Sequence, residues 1–199
     1  MFANRYTALV DACSLVSVVR RNLLLSLAEA EFFRLRWSVP ILDETQTALV
    51  KLHSQRGTTN GQARARAAID AMTTAFPDAM VEDFNEILAQ PLGLPDPKDE
   101  HVVAAAVKTQ AQAIVTENIS DFPAELLGKL NLEARTADEF IADTIALEEG
   151  LAIAAIRNLR LRLKRPALGL VRTRWRGSGA CLEVSPLICS LVEVEVCGE

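Results

Sequence analysis

Two short apolar runs constrain this chain more than anything else in it. The run 8–10, Ala-Leu-Val, ends at Asp11, and the run 113–116, Ala-Ile-Val-Thr, ends at Glu117-Asn118. Runs this short, apolar and partly β-branched suit buried strands. Helical patterns fill the stretches between and after them. Short apolar strands alternating with helices imply an α/β fold with a parallel sheet and helices on both faces. In such sheets ligands bind outside the carboxyl ends of the strands. Asp11 and Glu117-Asn118 both follow strands at that end, which turns scattered acids into a candidate site.

The helical stretches are read from apolar spacing and from their breakers. Residues 15–33 form one long amphipathic stretch, with Leu23, Leu24, Leu27 and Ala28 spaced for a helix. Ser38-Val39-Pro40 interrupts it, and Pro40 suits the first turn of a helix over 41–55. A polar loop over 57–61 precedes an Ala-rich helix over 63–76, which Pro77 ends. Met80-Val81-Glu82-Asp83 reads as a short segment before a weak helix at 84–89. Three prolines within 91–97 make a rigid connection. It leads into 101–111, whose Val/Ala run fits a helix buried on most sides. Pro123 starts a short helix over 124–130, and Ala134-Arg135-Thr136 leads to another near 137–145.

Composition narrows the class. With 199 residues, half of them hydrophobic, the chain can form one domain and an appendage around a substantial core. No apolar run approaches the ~18 residues of a membrane span, and the N-terminus turns polar too quickly for a secretory signal. A cytoplasmic protein is expected. Cys13, Cys181, Cys189 and Cys197 form no CxxC pair and do not resemble a zinc site, so they read as free thiols. The net charge of −5 is unevenly spread: residues 1–156 hold 13 Lys/Arg against 22 Asp/Glu, whereas 157–199 hold 8 against 4. An acidic body carrying a basic stripe fits nucleic acid held along the stripe, an acidic partner, or a solvated helix face.

Four acidic segments stand out: Asp11, Asp43-Glu44, Asp96 with Asp99, and Glu117-Asn118 with Asp121. Separate carboxylates suit Mg²⁺ or Mn²⁺, hard ions that keep water. Such an ion lowers the pKa of bound water and steadies the oxygens of a phosphodiester. Without it the carboxylates would repel a phosphate backbone. Each acid also has an ordinary reading. Asp99 could cap a helix, Glu44 lies where the helix dipole favours an acid, Asp43 competes with it on a face about 100° away, and Asp96 suits a turn. His101 tempts as a proton donor but is more often structural at the start of an apolar helix.

The wording of four segments carries a resemblance. Ala-Leu-Val-Asp-Ala-Cys-Ser-Leu (8–15), Trp-Ser-x-x-Ile-Leu-Asp-Glu (37–44), Leu-Pro-Asp-Pro-Lys-Asp-Glu-His (94–101) and Ala-Ile-Val-Thr-Glu-Asn-Ile-Ser-Asp-Phe-Pro (113–123) resemble, in order and spacing, a PIN domain of the kind found in VapC-like toxins of bacterial toxin–antitoxin pairs. The resemblance covers about 5–145. It implies a PIN-like three-layer α/β/α sandwich around a central parallel sheet of four or five strands. It also implies Mg²⁺-dependent cleavage of RNA, with Mn²⁺ as a substitute, a cognate antitoxin that blocks the site, and a homodimer. Asp11, Glu44 and Asp99 match the family's first three acids and are the implied metal ligands. The fourth acid falls on Asn118, which offers a neutral oxygen but no charge, with Asp121 three residues on as its compensation. Thr116 would hold a water or phosphate through its hydroxyl. The departure at 118 leads us to expect one well-held metal and a weaker second.

These readings divide the chain into a nuclease domain at 1–146 and, at 147–199, a helical appendage with an atypical tail. A helix over 151–163 carries Arg157, Arg160 and Lys164 on one face, and Pro166 stops it. Residues 167–199 lack helical periodicity and are expected to be poorly ordered. The expected function is a metal-dependent endoribonuclease toxin neutralised by an antitoxin. A DNA- or structure-specific nuclease with the same metal site is the alternative within enzymes. An interaction protein with a decayed site, suggested by Asn118, is the alternative outside them.

Overall fold

The structure is a computed structural model, and it describes residues 6–89 and 92–162. Five parallel strands form one sheet: β1 (Thr7–Val10), β2 (Arg34–Ser38), β3 (Met80–Val81), β4 (Ala113–Val115) and β5 (Glu133–Arg135), in the order β3-β2-β1-β4-β5. Every neighbouring pair is parallel, so each connection must cross over the sheet. From β1 the chain steps outward to β2 and β3, then returns past β1 to β4 and β5. Right-handed crossovers place the helices of these two halves on opposite faces. The three-layer α/β/α sandwich expected from the sequence is the fold observed.

The first half contributes α1 (Ala12–Val16), α2 (Val18–Glu29), α3 (Val39–Gln55) and α4 (Gly61–Ala75). The return contributes α5 (Asn85–Leu88), α6 (Glu100–Lys108) and α7 (Ala124–Lys129), and α8 (Ala137–Leu147) and α9 (Glu149–Arg162) follow β5. The five-residue run Val102–Ala106 of α6 is wholly buried, and this helix packs across β1, β2 and β4. The expected helix over 101–111 is therefore real but shorter. At its N-terminus, Gly93 takes φ +77°, and the Glu100 carboxylate accepts the amides of Leu92 and Gly93 at 2.9 and 3.3 Å. That contact pins the proline-rich loop against the helix.

Two features of the first half differ from the expectation. The stretch 15–33 is two helices, broken at Ser17, where ψ of 122° leaves the helical region. Arg21 reaches back and donates to the Leu15 carbonyl at 2.7 Å, satisfying an end that α1 leaves open. α2 then ends at Ala30, and Glu31 at φ +61° turns the chain into β2, a strand the helical spacing had hidden. Its sequence Arg-Leu-Arg-Trp-Ser alternates, with Leu35 and Trp37 buried and Arg34 exposed. Arg36 spans the strand edge and donates to the Asp78 carbonyl at 2.6 Å. Farther on, Gly61 lets α4 approach α3, since a Cβ there would lie 2.7 Å from the His53 side chain.

The core is continuous through the sheet. Leu9, Val10, Ile114 and Val115 are fully buried in the two central strands, and Trp37 packs edge-on against Phe76. Phe33 and Phe140 meet edge to face at 4.9 Å between centroids, tying the start of β2 to α8. α8 begins with a capping box in which Thr136 and Glu139 exchange hydrogen bonds with each other's amides. α9 packs along α2, where Arg162 pairs with Glu29. Among the described residues no helix is long and apolar enough to cross a membrane. Lys164, Pro166 and the expected poor order of 167–199 lie outside the described residues.

Two substitutions gauge this arrangement. Leu9→Ala in the central strand should lower unfolding free energy by about 2–5 kcal/mol, through lost burial and the cavity left behind. Thr136→Ala, which removes only a cap, should cost about 1 kcal/mol. Urea denaturation monitored by circular dichroism measures both.

Candidate metal-binding active site

The site is built on the reversal of the sheet. β1 lies between β2 and β4 and is paired to both. Val10 stands opposite Val115, so the next residues, Asp11 and Thr116, emerge side by side at the carboxyl ends of their strands. The Asp11 amide donates to the Val115 carbonyl at 3.0 Å and continues the ladder by one bond. This is the crevice where open α/β sheets bind ligands.

Asp11 is only 7 % exposed, and a buried carboxylate needs donors. It has three. The Ala12 amide donates to Oδ1 at 2.6 Å, while the Thr116 hydroxyl and the Cys13 thiol donate to Oδ2 at 2.8 and 3.0 Å. The sequence reading gave Thr116 a water or a phosphate to hold. In the structure its proton is committed to Asp11, and its oxygen accepts the Asn118 amide at 3.1 Å. Cys13, read from sequence as an ordinary free thiol, belongs to this centre. Its sulfur accepts the Glu117 amide at 3.1 Å, and burial, then the neighbouring Asp11, pushes its pKa up to about 11. It is thus a neutral donor to Asp11 rather than a thiolate.

Asp99 and Glu44 approach from the helices. Asp99 occupies the N-cap of α6 but its side chain makes no capping bond. Asp96 does the turn's work instead, accepting the Lys98 amide at 3.0 Å. The Asp99 carboxyl is pushed up to about 6, first by burial and then by the charges of Asp11, Asp96, Asp121 and Glu44. That list of neighbours locates the cluster: four acids from four segments lie close enough to resist ionisation of the fifth. Glu44 sits in the second turn of α3, half exposed, and burial and Asp11 raise its pKa while His101 opposes the shift. Its neighbour Asp43 is likewise exposed on α3.

His101 lies between the start of α6 and Glu44. Its Nδ1 lies 2.6 Å from the Lys98 carbonyl, which fixes that nitrogen as the proton-bearing one, and Nε2 faces Glu44 Oε1 at 3.8 Å. Nε2 is buried and has no hydrogen-bond partner.

The fourth corner is divided between two residues. Asn118 is exposed and enters the network through its backbone, whereas Asp121 is the group whose charge reaches Asp99. Glu117, next to Asn118, is turned elsewhere. Its Oε2 pairs with Arg20 at 3.1 Å and its Oε1 accepts the Ala137 amide at 3.2 Å, while Arg20 also holds Asp138 at 3.1 Å. No local pattern points to this clamp, because Arg20 and Glu117 are far apart along the chain.

The donor set suits a hard divalent cation. Its charged members are all carboxylates, and the one sulfur among them keeps its proton. Their mutual repulsion, visible at Asp99, is what a cation would relieve. Asp11, Glu44 and Asp99 are the residues able to hold it. Among the described residues no three His, Cys, Asp or Glu side chains already stand in chelating range.

Comparison with known proteins agrees with this architecture. The PIN domain profile matches residues 7–120, and the profile of the VapC50 C-terminal domain matches 137–170. A protein of Mycobacterium tuberculosis named "Putative ribonuclease VapC50" is 34 % identical over 90 residues, which cover 45 % of this chain and 50 % of that protein. The match therefore spans half the length of that relative. No solved structure matches. The chain belongs to the PIN-domain family.

Proposed function

We propose that this chain is a Mg²⁺-dependent endoribonuclease toxin, active also with Mn²⁺, that cleaves RNA phosphodiester bonds in the cytoplasm and is neutralised by a cognate antitoxin. The observation that carries the proposal is the PIN domain match over residues 7–120 together with the buried, donor-held Asp11 at the sheet's reversal, whose charge with those of Glu44 and Asp121 is felt at Asp99. The ribonuclease named in the mycobacterial relative supports the choice of RNA. A second copy of the chain as partner follows from the same family reading. In this reading residues 1–146 form the nuclease domain and 147–199 its appendage.

The chain's own residues supply position and charge. Asp11, held by three donors, keeps one orientation without reorganising when substrate arrives. Glu44 and Asp99 complete the ligand set from α3 and α6. A bound Mg²⁺ or Mn²⁺ would supply the positive charge that offsets what builds on the phosphate oxygens. Asn118 contributes a neutral amide and Asp121 the remaining negative charge, which leaves a second cation weakly held. Exposed Arg157 and Arg160 on α9 would attract the RNA backbone, and such contacts weaken as salt rises.

The first test is cleavage of total RNA by purified protein with Mn²⁺, repeated with EDTA and with Asp11→Asn. Cleavage should need the metal and fall at least about 100-fold in the variant. Equal activity in variant and wild type would sink the metal site. Flap-DNA cleavage with RNA left intact would favour the DNA-directed reading.

The second test is stability in EDTA. The folded-state pKa of Asp99, about 6, lies above its ordinary value of 3.8. The folded protein therefore binds more protons between these values, and stability falls as pH rises through the window. Asp99→Asn should be more stable than wild type at pH 7.5, and the difference should close towards pH 4. It should also lose Mn²⁺-dependent cleavage. A variant less stable than wild type at pH 7.5 would contradict the repulsion described here.

A further inference from the structure

Besides His101 Nε2, a second buried polar group beside the acidic cluster has no partner. Ser38 ends β2, is 0 % exposed, and its hydroxyl makes no hydrogen bond. It holds the N-cap position of α3, where a serine side chain ordinarily accepts a helix amide, yet it makes no such bond. Leaving a hydroxyl both buried and unsatisfied is costly, and such a group in a native protein calls for an explanation, of which a bound ion or water is one.

The register says where this hydroxyl stands. β1 and β2 pair with Leu9 opposite Arg36, so two residues on, Asp11 falls opposite Ser38. On the other edge of β1, Asp11 falls opposite Thr116. Parallel neighbours in register project to the same side of the sheet, and the bond from Thr116 to Asp11 shows that side to be the site. Ser38, Asp11 and Thr116 thus form a row across three strand ends, with the carboxylate in the middle. Of the two hydroxyls, Thr116 is bonded on both its donor and acceptor sides, and Ser38 on neither.

We propose that Ser38 is a further residue of the cation site, its hydroxyl bonding to the hydration shell of the divalent ion that Asp11 holds. The inference rests on the metal-dependent reading above. Mg²⁺ and Mn²⁺ keep several waters when held by few carboxylates, and those waters need acceptors and donors from the protein. A hydroxyl can serve as either. The role is one of positioning: Ser38 acts on the ion through water and leaves the fold indifferent to its loss.

Isothermal titration of Mn²⁺ into metal-free protein tests this with no reference to activity. Ser38→Ala should weaken Mn²⁺ binding about tenfold, while thermal unfolding in EDTA shows a midpoint equal to or above that of wild type, since an unsatisfied group has been removed. Trp37→Phe is the control: it deletes the other unpartnered donor on β2, Trp37 Nε1, and should leave Mn²⁺ affinity unchanged. Unaltered affinity in Ser38→Ala overturns the proposal, as does an equal loss in Trp37→Phe. Failure of the wild type itself to bind Mn²⁺ overturns the metal-dependent reading, and this proposal with it.

Discussion

The hydrogen-bonded junction of β1 with β4 is the constraint on which the site depends. It fixes the Asp11 amide on Val115 and sets the Thr116 hydroxyl against the Asp11 carboxylate. A carboxylate this buried needs donors to replace the water it has lost. Two of its three donors, Ala12 and Cys13, come from the turn into α1, and the third comes from the neighbouring strand. Register is therefore part of the chemistry. A slip of one residue between these strands would turn Thr116 to the other face and leave Asp11 short of a partner.

Around that anchor the fold sorts its acids by consequence. Glu117 is as close in sequence to Asn118 as any acid could be, but Arg20 and the Ala137 amide draw it away, with Asp138 on the other side of the guanidinium. Asp96 is occupied by the Lys98 amide. What remains is a smaller set whose members face one another with little compensation, as the raised pKa values of Glu44 and Asp99 register. Such a set weakens the fold where its charges are left uncompensated. The arrangement fits the general observation that functional sites are where local rules are broken.

Much of this was legible in the sequence, for identifiable reasons. The strands at 8–10 and 113–115 are apolar on both faces because they lie at the centre of a covered sheet, and such runs announce themselves. β2, β3 and β5 lie farther out, and they did not. β2 alternates arginine with apolar residues after a stretch of helical spacing, β3 is two residues long, and β5 is an edge strand of Glu-Ala-Arg. Asp11, Glu44, Asp99 and Asp121 could be named from local wording and the strand ends. Cys13 and Ser38 could not, because their significance comes from what stands beside them across the sheet. The signal was present only as position: Cys13 two residues after Asp11, and Ser38 at the end of a strand whose existence had first to be known.

The same row of residues explains how an acidic body can be reconciled with a polyanionic substrate. Residues 1–156 carry a clear excess of acid, so their long-range field opposes a phosphate backbone. Exposed arginines on α9 can offset this locally, but Arg162 is already engaged by Glu29. If the proposed RNA substrate is cleaved, the field at its phosphate would have to be reversed at short range, within the cluster itself, where a divalent ion would outweigh any single side chain. Its placement then depends on groups that carry no charge. Thr116 and Cys13 fix the Asp11 carboxylate, and Ser38 is left with its bonding capacity unspent on the same row. On the proposed metal-dependent reading, the acids would set how strongly a cation is held, and the neutral hydroxyls on either side of Asp11 would set where.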